Sequence, residues 1–359
     1  MTAAPPRRLL VTGAAGFIGT NFVRLVLAEQ PSALVFSLDA LTYAGNPANL
    51  ADLTDLYPGR HHFIHADIRD REAVAAAFAL ARPDWLVNFA AESHVDRSID
   101  GPLPFVETNA LGTAILLEAA RLAWGGRRDV RFHHVSTDEV YGSLGPAGKF
   151  REDTPYDPSS PYSASKAAAD HLVRAWGRTY GLPVSLNNCS NNYGPWQFPE
   201  KLIPLTLANA LDGKPLPIYG RGANVRDWLY VEDHVRAIWA ILERGEAGSS
   251  YNVGGGEERT NLELVRLLCA RLDRLRPRPS GPYANLITFV ADRPGHDARY
   301  AIDSSRLERE LAWRPRFDLS AGLDRTIDWY LSHRDWLAAI RAGKYAGGRL
   351  GRPPGETRA

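Results

Sequence analysis

The feature that most constrains this chain is an apolar run, Leu9-Leu10-Val11-Thr12, that passes straight into Gly13-Ala14-Ala15-Gly16-Phe17-Ile18-Gly19 and then into a helical pattern. Three glycines at this spacing carry meaning because they sit between a strand and a helix. The first permits a tight turn, the second lets backbone N–H groups approach a pyrophosphate, and the third lets the helix pack closely on the strand. The helix N-terminus adds partial positive charge for the phosphates. Asp39 ends the second apolar run, 20 positions after Gly19. A carboxylate there can bind adenine ribose hydroxyls and would repel a ribose phosphate, so the pattern predicts NAD over NADP. The bland alternative is a glycine turn with no ligand.

Further short apolar runs follow at Leu34 to Leu38, His62 to Ile64, Trp85 to Phe89 and Phe132 to Val135. Between them lie stretches with helical periodicity, such as Phe17 to Ala28 and Arg71 to Ala81. Strands alternating with helices predict an α/β fold with a doubly wound parallel sheet of Rossmann type. The second half is richer in Pro and Gly, with turns at Gly194-Pro195, Gly213-Lys214-Pro215 and Pro294-Gly295, and it holds a helical stretch from Asn261 to Leu275. The expected division is an NAD-binding domain over residues 1–190 and a smaller substrate-binding lobe over 191–342, with segments returning to the first domain. The Gly-, Arg- and Pro-rich tail, 343–359, is expected to be poorly ordered. No internal repeat is visible.

A formal net charge of +1 argues against a nucleic-acid partner, so an acidic substrate must be held by a few placed cations. Cys189 and Cys269 lie far apart and lack metal-ligand spacing, which reads as reduced thiols and no metal site. Met1 to Arg8 lacks the apolar run of a signal peptide. No stretch approaches the roughly 20 apolar residues of a membrane helix. A cytoplasmic protein without membrane partners is expected.

Two constellations point to chemistry. Pro161-Tyr162-Ser163-Ala164-Ser165-Lys166 places Tyr162 and Lys166 at i and i+4, one helical turn apart on one face. A neighbouring ammonium and a positive nicotinamide ring both favour the phenolate, so the pair can act as a base near neutrality. An exposed helical pair is the alternative. The second is Val135-Ser136-Thr137-Asp138-Glu139-Val140-Tyr141-Gly142, directly after an apolar strand. Ligands in doubly wound folds sit beyond the carboxyl ends of strands. In an ideal strand Asp138 and Glu139 would face opposite sides, so both can reach one ligand only if the chain leaves extended geometry here. Adjacent carboxylates in a partly buried site should separate, one staying protonated as acid and the other serving as base. Capping or solvated charge is the alternative. Asp67, after the third apolar run, reads equally as a cofactor contact or as the cap of the next helix.

Taken together the chain closely resembles the dTDP-glucose 4,6-dehydratase family of extended short-chain dehydrogenases. The matching stretches are Leu41 to Asn46, Ala90 to Ser98, Ser136 to Gly142, Ser160 to Lys166, Asn188 to Pro195, Phe198 to Leu205, Arg226 to His234 and Ala291 to Asp297. They span nearly the whole chain up to about residue 335.

The resemblance implies that Tyr162 with Lys166 deprotonates a sugar 4-hydroxyl while hydride passes to NAD. Glu139 then removes the carbon 5 proton, Asp138 protonates the departing 6-hydroxyl, and Thr137 hydrogen-bonds the sugar near carbon 4. By the same resemblance Gly13, Gly16, Phe17, Ile18, Gly19, Asp39, Ala40, Leu41, Thr42, Asp67, Ile68, Phe89, Ala90, Ala91, Glu92, Ser93, Thr108, Tyr162, Lys166 and Asn192 contact NAD. Ser93, Thr137, Asn191, Lys201, Leu202, Pro217, Tyr219, Arg226, Asn261, Asp292, Arg293, Pro294, Gly295 and His296 line the nucleotide-sugar pocket. The forks of Arg226 and Arg293 suit diphosphate oxygens, with a surface ion pair as the alternative for each. Departures from the family pattern are Ala14 in the glycine turn, Ala40 where many members carry Lys, and a shorter segment between Gly142 and Pro161. The stretches Pro104 to Ala123 and Tyr162 to Tyr180 match those that form a four-helix interface in relatives, so a homodimer is implied. Rival readings are a UDP-sugar 4,6-dehydratase, 4-epimerase or decarboxylase on the same scaffold, and a non-catalytic NAD-binding sensor. The base, thymidine or uridine, stays open at this point.

Overall fold

The computed structural model describes residues 7–343, so the expected disorder of the tail concerns residues outside the described ones. The apolar runs form β1 (Arg8–Thr12), β2 (Leu34–Asp39), β3 (His61–His65), β4 (Trp85–Asn88), β5 (Arg131–Thr137) and β6 (Val184–Cys189). Later come β7 (Asn191–Tyr193), β8 (Leu216–Tyr219), β9 (Val225–Tyr230), β10 (Ser250–Val253), β11 (Glu258–Thr260) and β12 (Ile287–Val290). Seven strands pair in parallel in the order β10-β6-β5-β4-β1-β2-β3. Such a sheet must be covered on both faces, and the alternation within each strand shows how. Leu10, Leu86 and Phe132 face helices Arg71–Ala81, Thr113–Trp124 and Pro161–Tyr180. Leu9, Val11, Val87 and Val135 face helices Phe17–Glu29 and Val231–Arg244 on the other side.

Strand order reverses between β1 and β4, so the turns leaving them diverge and open a crevice at their carboxyl ends. Over that crevice lies a smaller lobe. It contains the three-stranded sheet β11-β9-β7, the parallel pair β12-β8 and helices Leu202–Leu211, Asn261–Leu275 and Leu319–Ser332. Its own core is built from residues such as Leu207, Ile218, Trp228, Leu268 and Leu323. The chain does not stay in this lobe after residue 191. Helix Val231–Arg244 packs on the large sheet and β10 adds to its edge beside β6.

One expected helix is not regular. The stretch Pro104 to Ala123 divides into Leu103–Phe105, a π-helical segment Val106–Gly112 and Thr113–Trp124. The widened turn seats Asn109, whose side chain accepts from Glu92 N (2.9 Å) and donates to Glu92 O (3.0 Å) and Ser165 Oγ (2.8 Å). Those bonds pin the segment after β4 to helix Pro161–Tyr180, and π-turns are frequent at functional sites for this kind of reason. Asn109→Ala should therefore lower unfolding free energy by about 1–3 kcal/mol, the usual result of leaving buried partners unsatisfied. Urea denaturation checks this, and an unchanged midpoint would mean that the clamp is dispensable.

Candidate active site

At the carboxyl edge of β1 the backbone must turn sharply, and Gly13 does so at φ +64°. A Cβ built there would lie 2.6 Å from Ala90 N, so the turn after β1 and the segment after β4 touch with no room for a side chain. Helix Phe17–Glu29 then starts from Gly16 with no side-chain cap, which leaves its first N–H groups facing the crevice. Asp39 closes the turn from the side. One carboxylate oxygen accepts from Ala15 N (2.9 Å) and the other from Leu41 N (2.8 Å), which fixes the carboxylate at the cleft wall. These donors and this acceptor fit a dinucleotide: amides for phosphates, a carboxylate for ribose.

Asp67 resolves its two readings. The cap of helix Arg71–Ala81 is Asp70, whose carboxylate accepts from Glu72 N (2.9 Å) and Ala73 N (3.0 Å). Asp67 stays on the cleft wall, held below its ordinary pKa by hydrogen bonds from Arg69.

The catalytic candidates depend on where β5 stops. It ends at Thr137, and the chain immediately enters a 3₁₀ turn, Asp138–Tyr141, whose Glu139 N donates to Thr137 Oγ1 (3.3 Å). Extended geometry is abandoned at the position where it had to be, and both Asp138 and Glu139 line the same cleft. Gly142 ends the turn at φ +85°, where a Cβ would meet Asp157 O at 2.4 Å. Helix Pro161–Tyr180 starts beside it, fixed by a capping box in which Ser160 and Ser163 exchange bonds and by Pro161 in the first turn. Tyr162 and Lys166 thereby point into the cleft and are buried, not exposed on a helix surface.

Electrostatics separates these groups. Burial pushes Asp138 well above the carboxylate range, and Glu139 and Asp227 push it further. Burial also raises Glu139, but Arg293, Lys201 and Arg226 oppose the rise. Asp138 is thus the group held as acid and Glu139 the one that can ionise. Lys166 is pulled down to about 8 by burial, against the opposing field of Asp170. Its Nζ donates to Val135 O (2.8 Å) and lies 3.2 Å from His134 Nε2. Burial raises the Tyr162 phenol well above 10 and Glu139 and Cys189 add to that, while the Thr137 hydroxyl opposes it.

The cleft has a volume of about 730 Å³ and gathers nearly every residue singled out from the sequence. Gly13, Gly16, Phe17, Ile18, Gly19, Asp39, Ala40, Thr42, Ile68, Phe89 to Ser93, Thr108 and Asn192 form one end. Asn191, Lys201, Leu202, Pro217, Tyr219, Arg226, Asn261, Arg293 and His296 form the other. Four do not reach the wall. Leu41 turns away at φ +53° and packs with the core, serving the site only through its N–H. Asp292 braces His296 instead (2.6 Å), and Pro294 and Gly295 make the turn that presents Arg293 and His296. Neither arginine is a surface pair. Arg226 is buried, stacks 4.2 Å from the Tyr300 ring and donates to Asp297 O (3.0 Å). Arg293 pairs with buried Asp96 at 2.5 Å.

Sequence reasoning missed Tyr43, His94, Asp96, Glu200 and Tyr300, all on the wall. The first four lie inside stretches that carry the family likeness, which was the available signal; Tyr300 gave none. Several buried polar atoms on this wall have no partner among the described residues: Asp138 Oδ2, Ser190 Oγ, Asn191 Oδ1, His94 Nδ1 and Arg293 Nε. Unsatisfied groups converging on one cavity are what a polar ligand would satisfy.

Fold and cleft together define a dinucleotide-binding enzyme of the extended short-chain dehydrogenase type. The chain belongs to the GDP-mannose 4,6 dehydratase family, matched over residues 10–326, and within it stands with the dTDP-glucose 4,6-dehydratases. It is 54% identical over 349 residues to a probable dTDP-glucose 4,6-dehydratase of Sinorhizobium fredii, covering 96% of this chain and 98% of that one. A dTDP-glucose 4,6-dehydratase of Xanthomonas campestris is 55% identical over 348 residues, covering 95% and 98%. The solved dTDP-glucose 4,6-dehydratase of Streptomyces venezuelae, with NAD bound, superposes with a TM-score of 0.85 at 50% identity, covering 93% and 99%. A Thermus thermophilus UDP-glucose 4-epimerase in complex with NAD reaches 0.80 at 31%, covering 91% and 99%.

The raised pKa of Asp138 has a measurable consequence. A carboxyl whose folded value lies above its unfolded value of about 3.8 opposes folding increasingly as pH rises past that unfolded value. Asp138→Asn removes this penalty. The variant should melt higher than wild type at pH 8 and lose that advantage as the pH approaches 4. Calorimetry at both pH values checks it, and a gain independent of pH would place the effect elsewhere.

Proposed function

We propose that this protein dehydrates dTDP-glucose to dTDP-4-keto-6-deoxyglucose, with NAD as its cofactor. The observation that carries the reading is Asp138 beside Glu139 on one cleft wall, next to Tyr162: burial raises both carboxyls, and Arg293, Lys201 and Arg226 oppose the rise at Glu139. A 4-epimerase or decarboxylase on this scaffold needs Tyr162, Lys166 and NAD but has no use for an adjacent acid–base pair. A sensor would be free to lose the Tyr–Lys pair, which is kept.

Tyr162 takes the proton of the sugar 4-hydroxyl, assisted by Thr137, which orients the same oxygen. NAD held by the Gly13 turn and Asp39 would supply a hydride acceptor for carbon 4 and donor for carbon 6, and a positive charge favouring the Tyr162 phenolate. The new 4-keto group acidifies the proton on carbon 5, which Glu139 removes. Asp138, held protonated, donates to the 6-hydroxyl as it leaves, and Glu139 returns its proton to carbon 5. The sum is loss of one water with no net oxidation. Arg226 and Arg293 hold the diphosphate, and the amides of the Gly13 turn with Asp39 hold the cofactor. Relatives at 50–55% identity named for dTDP-glucose support the thymidine nucleotide over uridine, whose epimerases stand near 30%.

We further propose a homodimer and a cytoplasmic setting. Val106, Leu111, Leu122 and Tyr180, on the two stretches implied in the dimer, and Leu103 just before the first, are exposed large apolar side chains, which a second copy would cover. Both cysteines are free and buried, which suits a reducing compartment. Among the described residues no helix is long and apolar enough to cross a membrane.

Tyr162→Phe should bind cofactor and substrate but lose about 100-fold or more in turnover, the order expected for removing a general base. Glu139→Gln should still oxidise carbon 4 and stall, so that reduced cofactor accumulates in a single turnover. The decisive experiment uses dTDP-glucose deuterated at carbon 4. Product should carry the deuterium at carbon 6, without crossover between labelled and unlabelled molecules. Label retained at carbon 4 would indicate an epimerase, and label released on free cofactor a simple dehydrogenase; either would overturn the reading.

A further inference from the structure

The lobe over the crevice is tied to the cofactor domain at the start of one short helix, Val95–Asp100. Lys201 Nζ donates to Ser93 O (2.9 Å) and Arg97 pairs with Glu200 (3.1 Å). Between those ties lies Asp96, only 3% exposed. Its Oδ2 accepts from Tyr219 OH (2.8 Å) and its Oδ1 from Arg293 Nη1 (2.5 Å). Tyr219 ends β8 and Arg293 follows β12, and the two strands pair in parallel. One carboxylate from the cofactor domain thus grips the tips of both strands of the small sheet that overhangs the cleft.

Burial of Asp96 would raise its pKa, but Arg293, His94 and Tyr219 hold it below its ordinary value, so it stays ionised. What this leaves free is informative. Arg293 Nη1 is taken, while Arg293 Nε is buried with no partner among the described residues, and the side chain lines the cleft. A guanidinium is a rigid planar fork, so fixing one nitrogen fixes the direction of the others. The same guanidinium also acts on Glu139 across the cleft.

We infer that Asp96 is a positioning residue for substrate binding: it holds Arg293 and Tyr219 across the lobe boundary so that the remaining guanidinium edge of Arg293 meets the diphosphate. This rests on the nucleotide-sugar reading above. Both carboxylate oxygens of Asp96 are engaged by Tyr219 and Arg293, so its effect passes through Arg293. Removing one partner of a buried, charge-assisted pair is expected to weaken what that pair orients by about tenfold or more.

The test measures dTDP and NAD binding by calorimetry on the full chain. Asp96→Asn should bind dTDP at least about tenfold more weakly, with NAD affinity within about twofold of wild type. In an Arg293→Met background the same change should add little, because the residue it acts through is gone. If Asp96→Asn fails to fold, Asp96→Glu keeps the charge, displaces it by one methylene, and should weaken dTDP binding about threefold or more. Undiminished dTDP affinity in the folded variant, or losses that multiply in the Arg293→Met background, would overturn the inference. Wild type that binds NAD but not dTDP would overturn the substrate reading instead, and this inference with it.

Discussion

Removing ionisable groups from water on a single cleft wall is the constraint from which the rest of the site follows. Asp138, Tyr162 and Lys166 are each less than a tenth exposed. Isolated charges at such places are strongly disfavoured. Each group therefore relaxes toward neutrality: the carboxyl and phenol rise, and the ammonium falls. Glu139 keeps part of its surface open to the cleft and sits in the field of three cations, which is what sets it apart from its neighbour. Two adjacent carboxyls thereby feel different fields: burial raises both, but the cations oppose the rise more at Glu139 than at Asp138.

The fold supplies this wall through strand order. Because β4 lies beside β1 and β5 beside β4, the Gly13 turn, the Phe89–Ser93 segment and the Thr137 turn end side by side. Their contacts leave little slack. Gly13 abuts Ala90, Asn109 clamps Glu92 to Ser165, and the Ser160–Ser163 capping box sets where helix Pro161–Tyr180 starts. Groups on four chain segments are thereby held in fixed relation before any ligand arrives, the preorganisation that makes electrostatic catalysis effective. The smaller lobe brings cations to the opposite side, which is why a chain of net charge +1 can still hold a diphosphate.

What could be read from the sequence was what repeats locally. Apolar strands alternating with amphipathic helices placed Arg71–Ala81 and Asn261–Leu275 at their observed bounds, and the glycine spacing placed the cofactor turn. The demand that the chain break after Thr137 was also legible, since two consecutive carboxylates cannot share one strand face. Other features depended on tertiary contacts that no local pattern records. The π turn at Val106–Gly112 exists because Asn109 reaches Glu92 and Ser165, which are remote in sequence from one another. Asp67 read equally as a cofactor contact or a helix cap, and only backbone geometry showed that Asp70 caps instead. Whether Arg293 joined the pocket or a surface ion pair stayed open because its partner, Asp96, lies almost two hundred residues earlier.

The tyrosine shows most sharply what the protein does alone and what it leaves to its ligands. Sequence reasoning gives Tyr162 two sources of positive charge, the Lys166 ammonium and a nicotinamide ring, and burial with the nearby Glu139 raises the phenol against both. Lys166 is held by Val135 and His134, and burial pulls its pKa down to about 8. Positive charge from a bound nicotinamide, at low local dielectric, would act on the phenol far more strongly than the same charge in water. A base that depends on that charge would work only while the hydride acceptor is in place.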